Sequence, residues 1–180
     1  MRESSKAALC GIISSLAVVI MLSTYLSPFL VYTSPAFSGL LLLLILNELG
    51  VKWATGAYVT VSLISAFIIA DKEAAVFYTM FFGFYPILAF IFNKKIRKKP
   101  IRITIKLVTF NLSCLIAFAV CMFVLSLDMS DIIGDGVFFT VIFAILMNIL
   151  FIVYDMLIIK LQLLYKKKLQ KKFRKLFNIR

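Results

Sequence analysis

Few side chains in this sequence are equipped for chemistry, and their types narrow what they could do. The 180 residues contain no histidine, which removes the commonest metal ligand and the usual general base at neutral pH. The cysteines Cys10, Cys114 and Cys121 lie in apolar stretches and lack the Cys-x-x-Cys spacing of zinc sites and redox pairs. Nothing resembles a phosphate-binding Gly-rich loop, which excludes ATP hydrolysis by this chain. The sequence therefore predicts no catalytic residue, no metal site and no cofactor.

Two polar side chains inside long apolar stretches are candidates for a role beyond packing. Asp155 is the one carboxylate well within such a stretch. An ionisable group there is costly and marks a functional position by default, here in proton transfer or coupling. A purely structural ion pair is the alternative, with Lys160 or Lys52 as the expected cation. Asn111 is expected to form an interhelical hydrogen bond worth about 1 kcal/mol.

The elements that hold these residues must themselves be apolar. Hydrophobic residues make up 63% of the chain. They fall in blocks of roughly 20, the length that a helix needs to cross a hydrocarbon core of about 30 Å. The sequence therefore predicts an all-α, polytopic membrane protein with six transmembrane helices. The predicted spans cover residues about 7–26, 36–49, 51–70, 74–92, 107–127 and 137–164, in a membrane domain of residues 1–165 followed by a basic tail of residues 166–180.

Helix-breaking residues mark several boundaries. Ser27-Pro28 ends the first span, because proline lacks a backbone donor and restricts the residue before it. A polar and aromatic connector over residues 29–35 leads to the second span, which closes near Gly50, a plausible helix C-cap. Gly83 and Pro86 predict a kink in span four.

The basic residues predict the orientation. With six spans, 19 of the 20 lysines and arginines fall on the side of the N-terminus, and only Lys72 falls on the other. Seven of the 19 belong to the polar loop from Asn93 to Lys106. Because short basic loops stay in the cytoplasm, both termini are predicted to be cytoplasmic, in a bacterial plasma membrane. The opposite face is net acidic, which suits either plain solvation or weak attraction of a cationic solute.

The basic tail predicts contact with lipid. Leu169, Phe173, Leu176 and Phe177 recur at helical spacing among lysines and arginines after Tyr165. This pattern is typical of an interfacial amphipathic helix whose basic face meets anionic headgroups. Docking to an acidic cytoplasmic protein is the alternative. Nucleic acid is not predicted as a partner, because the net charge of +12 sits where membrane topology demands it.

Small residues form a stripe in the first span. Ala7, Gly11 and Ser15 stand four residues apart and therefore share one helix face. In lipid, such a face lets another helix approach closely and gain dispersion contacts. That helix belongs either to the same chain or to a separate membrane subunit.

The size, the six-span layout, this stripe and the long connector after span one resemble the substrate-binding S components of energy-coupling factor (ECF) transporters. In that family an Ala-x-x-x-Ala-type stripe in the first helix contacts a transmembrane coupling subunit, and paired ATPases drive uptake. The stripe maps here onto Ala7, Gly11 and Ser15, with glycine and serine in place of alanines. The resemblance implies a subunit that binds a small-molecule solute and has no enzymatic activity of its own.

The resemblance also implies where a vitamin or similar solute would bind, namely in the connector and in the outer halves of later helices. Aromatic rings there would stack on a flat heterocycle and hydroxyls would orient it, although tyrosines at span ends also form ordinary interfacial belts. The absence of histidine argues against a nickel- or cobalt-binding member. The positions that fit are Tyr25, Tyr32, Ser34, Tyr78, Thr79, Phe139, Thr140 and Asn148.

A second reading of the same features is a non-transport membrane scaffold that resembles the rod-shape-determining membrane proteins. Its basic cytoplasmic face would recruit partners, and changes in an outer pocket would be tolerated. An intramembrane enzyme is disfavoured, because histidine and paired intramembrane carboxylates are both missing from the sequence.

Overall fold

The computed structural model describes residues 3–27, 29–124, 126 and 137–170, with only the backbone for Val137, Phe139 and Leu169. Within these ranges all regular structure is helical, and six helical units are long and apolar enough to cross a membrane, as predicted. The helices are α1 (Glu3–Leu22, extended by a 3₁₀ turn over Ser23–Leu26), α2 (Leu30–Glu48), α3 (Val51–Ile68), α4 (Lys72–Phe77), α5 (Tyr85–Lys95), α6 (Lys99–Phe123) and α7 (Val137–Leu164).

Helix α2 is central and contacts α1, α3, α4, α5 and α7. Helices α1 and α3 run parallel in constant register. Cys10 Sγ faces the carbonyl of Trp53 at 3.8 Å, and the Tyr25 hydroxyl donates to the carbonyl of Ile68 at 3.1 Å. Both pairs are 43 residues apart in sequence, so the two helices stay aligned over their full length.

The second helix begins earlier than predicted. It starts at Leu30 rather than near residue 36, so the predicted connector is mostly helical and includes Pro35. The helical segment ends at Ser27, whose backbone is extended. The Ser23 and Ser34 hydroxyls form a hydrogen bond of 2.8 Å across this interruption. Pro35 lies inside α2, past the first turn, so its missing backbone donor leaves the carbonyl of Val31 without its i→i−4 hydrogen bond.

The fifth span also begins earlier than predicted, at Lys99 rather than near residue 107. The polar loop shrinks to residues 96–98, because α5 continues through Lys95 and Pro100 occupies the first turn of α6. Proline favours that position, and lysine and arginine are good helix formers. As a result Lys106 lies inside a membrane-spanning helix and is only 2% exposed.

Span four is interrupted at the place where the kink was predicted. A π-helical turn over Tyr78–Phe82 follows α4, and the helix restarts at Tyr85 with Pro86 in its first turn. Gly39 of α2 packs directly against this interruption, since a Cβ atom at Gly39 would overlap the backbone carbonyl of Phe82. The interrupted helix therefore approaches the central helix more closely than any other residue at position 39 would allow.

Candidate functional site: a side cavity above a buried ion pair

A buried polar triad joins three helices. Lys106 of α6 donates to both carboxylate oxygens of Asp155 in α7, at 2.7 and 2.9 Å, and the Tyr85 hydroxyl of α5 donates to the same carboxylate at 2.7 Å. The side chains of Lys106 and Asp155 are 3% and 17% exposed. Asp155 is therefore paired, but its cation is Lys106 and not Lys160 or Lys52 as expected.

Three phenylalanines form a layer next to the polar triad. Phe81, Phe110 and Phe151 are all buried, and their ring centroids lie 4.9 Å (Phe81–Phe110), 4.6 Å (Phe110–Phe151) and 6.0 Å (Phe81–Phe151) apart. Each ring precedes or follows a triad residue by four positions, which places the two sets on the same helix faces one turn apart. We call this set the phenylalanine layer.

The order of these two layers follows from chain direction. The basic end of the bundle is the end at which α3 and α6 begin and α5 and α7 finish, with the lysines of residues 94–99 and 166–168. Tyr85, Lys106 and Asp155 each lie nearer to that end than the phenylalanine four positions away. The phenylalanine layer therefore covers the polar triad on the side that faces away from the basic end.

A cavity of about 290 Å³ borders the phenylalanine layer. Helices α2, α6 and α7 and the α4 segment surround it, and we call it the side cavity. No charged residue is found in its lining within the described part of the chain. The lining residues are Tyr32, Thr33, Ala36, Phe37, Phe77, Phe81, Phe82, Phe110, Ser113, Cys114, Ala117, Phe118, Met147, Leu150, Phe151, Val153, Tyr154 and Leu157.

The hydroxyls along the side cavity are largely engaged with backbone. Thr33 donates to the carbonyl of Phe29 at 3.3 Å, and Ser113 donates to that of Thr109 at 2.8 Å. Tyr154 donates to the carbonyl of Ala36 at 3.3 Å. The cavity surface is consequently apolar and aromatic, with hydroxyl oxygens as its few polar points.

Of the eight solute-binding positions predicted from the sequence, only Tyr32 lines the side cavity as described. Ser34 is buried against Ser23, and Tyr25 bridges the end of α3 by donating to Ile68 and accepting from the backbone nitrogen of Ala70. Ser34 and Tyr25 thus hold helix ends together and do not join Tyr32 in one site.

The predicted positions on the fourth span also lie away from the side cavity. Tyr78 is fully buried, and its hydroxyl finds no hydrogen-bond partner among the described residues. The carbonyl of Thr79 accepts a hydrogen bond from the Tyr58 hydroxyl at 2.8 Å. The Tyr78 ring and the Thr79 carbonyl therefore face α3, where Tyr58 and Tyr78 pack with ring centroids 6.3 Å apart.

The predicted positions on the last span are spread along α7. Thr140 is exposed near the helix start, and the side chain of Phe139 lies outside the described part of the structure. Asn148 and Asn111 exchange hydrogen bonds of 3.0 and 3.3 Å between α7 and α6. This confirms the interhelical bond predicted for Asn111 and gives Asn148 a structural partner.

Neither the phenylalanine layer nor the role of Lys106 was predicted from the sequence. A usable signal existed, because an aromatic and a polar residue stand four apart on each helix, as in Lys106 with Phe110 and Phe151 with Asp155. The signal was hidden because Lys106 falls at the end of a basic cluster that reads as a loop.

The stripe on α1 faces outward. Ala7, Gly11 and Ser15 are all exposed, and no atom lies within 4 Å of the position that a Cβ on Gly11 would occupy. Packing against a helix of the same chain, one of the two sequence-based alternatives, does not occur among the described residues.

Helix α3 extends this open surface. Gly56 and Thr60 are exposed, and Gly56 likewise has no atom within 4 Å of an added Cβ. Helical geometry and the constant α1–α3 register place Gly11 and Gly56 on the same outer side of the contact between the two helices. We call Ala7, Gly11, Ser15, Gly56 and Thr60 the small-residue face.

No family model, curated protein or solved structure matches this chain. The small-residue face, the side cavity and the polar triad are therefore the features from which a function can be inferred.

Proposed function

We propose that this chain is the solute-binding membrane subunit of an ECF-type uptake system. In this proposal it has no catalytic activity, and a transmembrane coupling subunit with paired ATPases supplies the energy. The chain would reside in a bacterial plasma membrane with both termini in the cytoplasm and with its basic end against anionic headgroups. The observation that carries the proposal is the small-residue face, because a membrane protein gains most from such a surface when a second helix packs onto it.

The arrangement of α1 and α3 supports docking in particular. Gly11 and Gly56 flank the contact between the parallel helices α1 and α3, one on each helix, and an added Cβ on either would meet open space. A partner helix laid along that contact can bring its backbone close to both α1 and α3. The side cavity lies among α2, α4, α6 and α7, so a partner on the small-residue face leaves a bound solute undisturbed.

A second candidate function is a membrane scaffold, and one observation favours it. The lysines and arginine at positions 94, 95, 97, 98 and 99 are all exposed at the basic end, where they would attract an acidic partner protein. A scaffold of this kind requires neither the small-residue face nor the side cavity.

A pull-down from native membranes in mild detergent separates the two candidates. Gly11→Leu and Gly56→Leu fill the small-residue face, and Ala119→Leu is the matched control, because Ala119 is an exposed small residue on α6. We expect the wild type and the Ala119 variant to recover a membrane coupling subunit with ATPases and both glycine variants to lose it.

Recovery of cell-envelope or cytoskeletal proteins, unchanged in all four forms, would favour the scaffold. Equal recovery of the coupling subunit by the glycine variants and the control would overturn docking through α1 and α3. Membrane insertion of every variant is checked by its extraction behaviour and elution volume.

A further inference from the structure

We propose that the side cavity binds an uncharged, largely apolar molecule with a flat ring system, which enters from the hydrocarbon region of the membrane. This inference rests on the proposed function only in treating the chain as a solute-binding subunit. It names the class of solute, and of the predicted solute-binding positions it keeps Tyr32, which lines the side cavity.

The direction of entry follows from which lining residues are exposed. Phe37 of α2 and Leu150, Val153 and Leu157 of α7 line the cavity and are 60%, 60%, 53% and 39% exposed. They form a mouth on the side of the bundle, in the middle of membrane-spanning helices. The three rings of the phenylalanine layer belong to the lining, and none of the three polar triad residues does.

The charge of the solute follows from the lining. No lysine, arginine, aspartate or glutamate is among its described lining residues, and an ion held by those residues would lose its hydration without gaining a charged partner. Lys106 and Asp155 lie behind the phenylalanine layer and neutralise each other at 2.7 Å. Neither charge is free to pair with a solute.

The shape of the solute follows from the rings. Phe77 packs against Tyr32 at 5.6 Å and edge-on against Phe118 at 6.5 Å, and Phe118 packs edge-on against Phe143 at 6.0 Å. With the phenylalanine layer at the base, aromatic faces and edges are presented from several sides. Such walls favour stacked and edge-on contacts with another ring, worth about 0.5–1.5 kcal/mol each beyond area burial.

The size and polarity of the cavity limit the solute further. A volume of about 290 Å³ is at the lower end of the range for small-molecule sites, roughly 300–1,000 Å³. Ser113 is 6% exposed and already donates its proton to Thr109, so its oxygen is left to accept. A compact ring system with one or two hydroxyl or ring N–H donors fits this surface and carries no charge.

Photolabelling of the full chain in phosphatidylcholine nanodiscs tests the proposal. One probe is a naphthalene that carries a diazirine, and the other is a palmitoyl chain that carries the same group. Excess naphthalene and excess naphthalene-2-sulfonate serve as competitors, and labelled peptides are mapped by mass spectrometry. We expect the ring probe to label residues 113–118 and 147–157, with competition by naphthalene and none by the sulfonate.

Two variants are designed to close the cavity, and a third serves as their control. Ala117→Trp fills the interior, where Ala117 is 2% exposed. Leu150→Trp narrows the mouth at an exposed position that tolerates a large side chain, so it remains informative if Ala117→Trp fails to fold. Ala119→Trp adds the same ring to the lipid-facing side of α6. We expect labelling to fall to background in the first two variants and to be retained in the third.

Equal labelling of these residues by the palmitoyl probe, or equal labelling in all variants, would show a surface filled by lipid chains and would overturn the proposal. Competition by the sulfonate would overturn the claim about charge. The pull-down reports on the small-residue face through different residues, so either result can fail while the other stands.

Discussion

At the scale of single residues, the polar triad of Lys106, Asp155 and Tyr85 buries two charges. Removing water from two charges costs several kcal/mol per ion, and their attraction repays this only with good geometry and additional hydrogen bonds. The triad meets that condition, because Lys106 reaches both oxygens of Asp155 and Tyr85 donates to the carboxylate as well. The ion pair is therefore stable only while all three residues of the polar triad are present.

Breaking the pair from one side should be strongly destabilising. Lys106→Met leaves an unpaired, mostly buried carboxylate, and we expect it to lower the free energy of unfolding by about 3–5 kcal/mol. Tyr85→Phe removes one hydrogen bond to a charged group, with a loss of about 1.5–3 kcal/mol. Denaturant titration in detergent micelles measures both values.

The double variant Lys106→Met with Asp155→Leu is the control for that prediction. Because it removes both charges, it should recover most of the stability lost in Lys106→Met alone. A double variant as unstable as the single one would show that side-chain packing, and not an uncompensated charge, accounts for the loss.

The sequence located only half of this pair. Asp155 stands alone in an apolar stretch, and its special status is evident from composition. Lys106 is the seventh basic residue of a cluster, and its burial depends on where α6 begins, which hydropathy alone does not determine. A helix that starts at Lys99 carries Lys106 two turns into the bundle, opposite Asp155.

Two buried serines, on α2 and α3, differ in whether their hydroxyl forms a hydrogen bond. Ser38 donates to the carbonyl of Ala17 at 3.1 Å, while the buried hydroxyl of Ser65 has no partner among the described residues. We expect Ser38→Ala to cost about 0.5–1.5 kcal/mol, and Ser65→Ala to be neutral or mildly stabilising, because it removes an unsatisfied polar group.

The same denaturant titration distinguishes these two serine variants. A loss of stability in Ser65→Ala equal to that in Ser38→Ala would mean that a water molecule or a bound solute satisfies the Ser65 hydroxyl in the membrane.

At the scale of elements, the close approach of α2 to the interrupted fourth span shapes one wall of the side cavity. The interruption was predictable, because Gly83 and Pro86 stand close together in one apolar stretch. Its packing partner was not, since Gly39 is one small residue among many in α2. Only the three-dimensional arrangement shows that the carbonyl of Phe82 occupies the space a Cβ would need.

Two glycine-to-alanine changes test this element contact with opposite expected signs. Gly39→Ala forces α2 away from Phe82 and should cost about 1–3 kcal/mol. Gly56→Ala meets open space on an exposed helix and should gain about 0.5–1 kcal/mol from helix propensity.

Unfolding midpoints of the two glycine variants, measured side by side, test these opposite changes in stability. If Gly39→Ala is as stable as the wild type, the two elements do not approach as closely as the structure has them.

At the scale of the whole molecule, the number of spans was predictable and several boundaries were not. Apolar blocks fix the count of six, whereas α2 and α6 each begin about six to eight residues before their apolar blocks. Polar residues enter the helices there, because Ser34 and Lys106 find partners inside the bundle. A hydropathy profile contains no information about such partners. For the same reason, the residues nearest these boundaries were predicted to lie in loops.

The orientation of the molecule is a prediction that the charge distribution carries. Burial of Lys106 removes one lysine from the basic end, but the remaining asymmetry is still large. Each lysine or arginine near an anionic leaflet contributes about 1 kcal/mol, and basic loops resist translocation. We therefore expect the loop of residues 96–98 to face the cytoplasm and the α3–α4 connection to face outward.

Single cysteines report this orientation directly. In a background with Cys10, Cys114 and Cys121 replaced by alanine, Ala70→Cys and Lys98→Cys place thiols at exposed positions of opposite ends. A membrane-impermeant maleimide should label the Ala70 variant in intact cells and the Lys98 variant only after permeabilisation. The reverse pattern would invert the molecule, and labelling of both in intact cells would indicate that it inserts in two orientations. Either outcome would place the basic end outside the cytoplasm in at least part of the population, where it could meet neither ATPases nor a cytoplasmic scaffold partner.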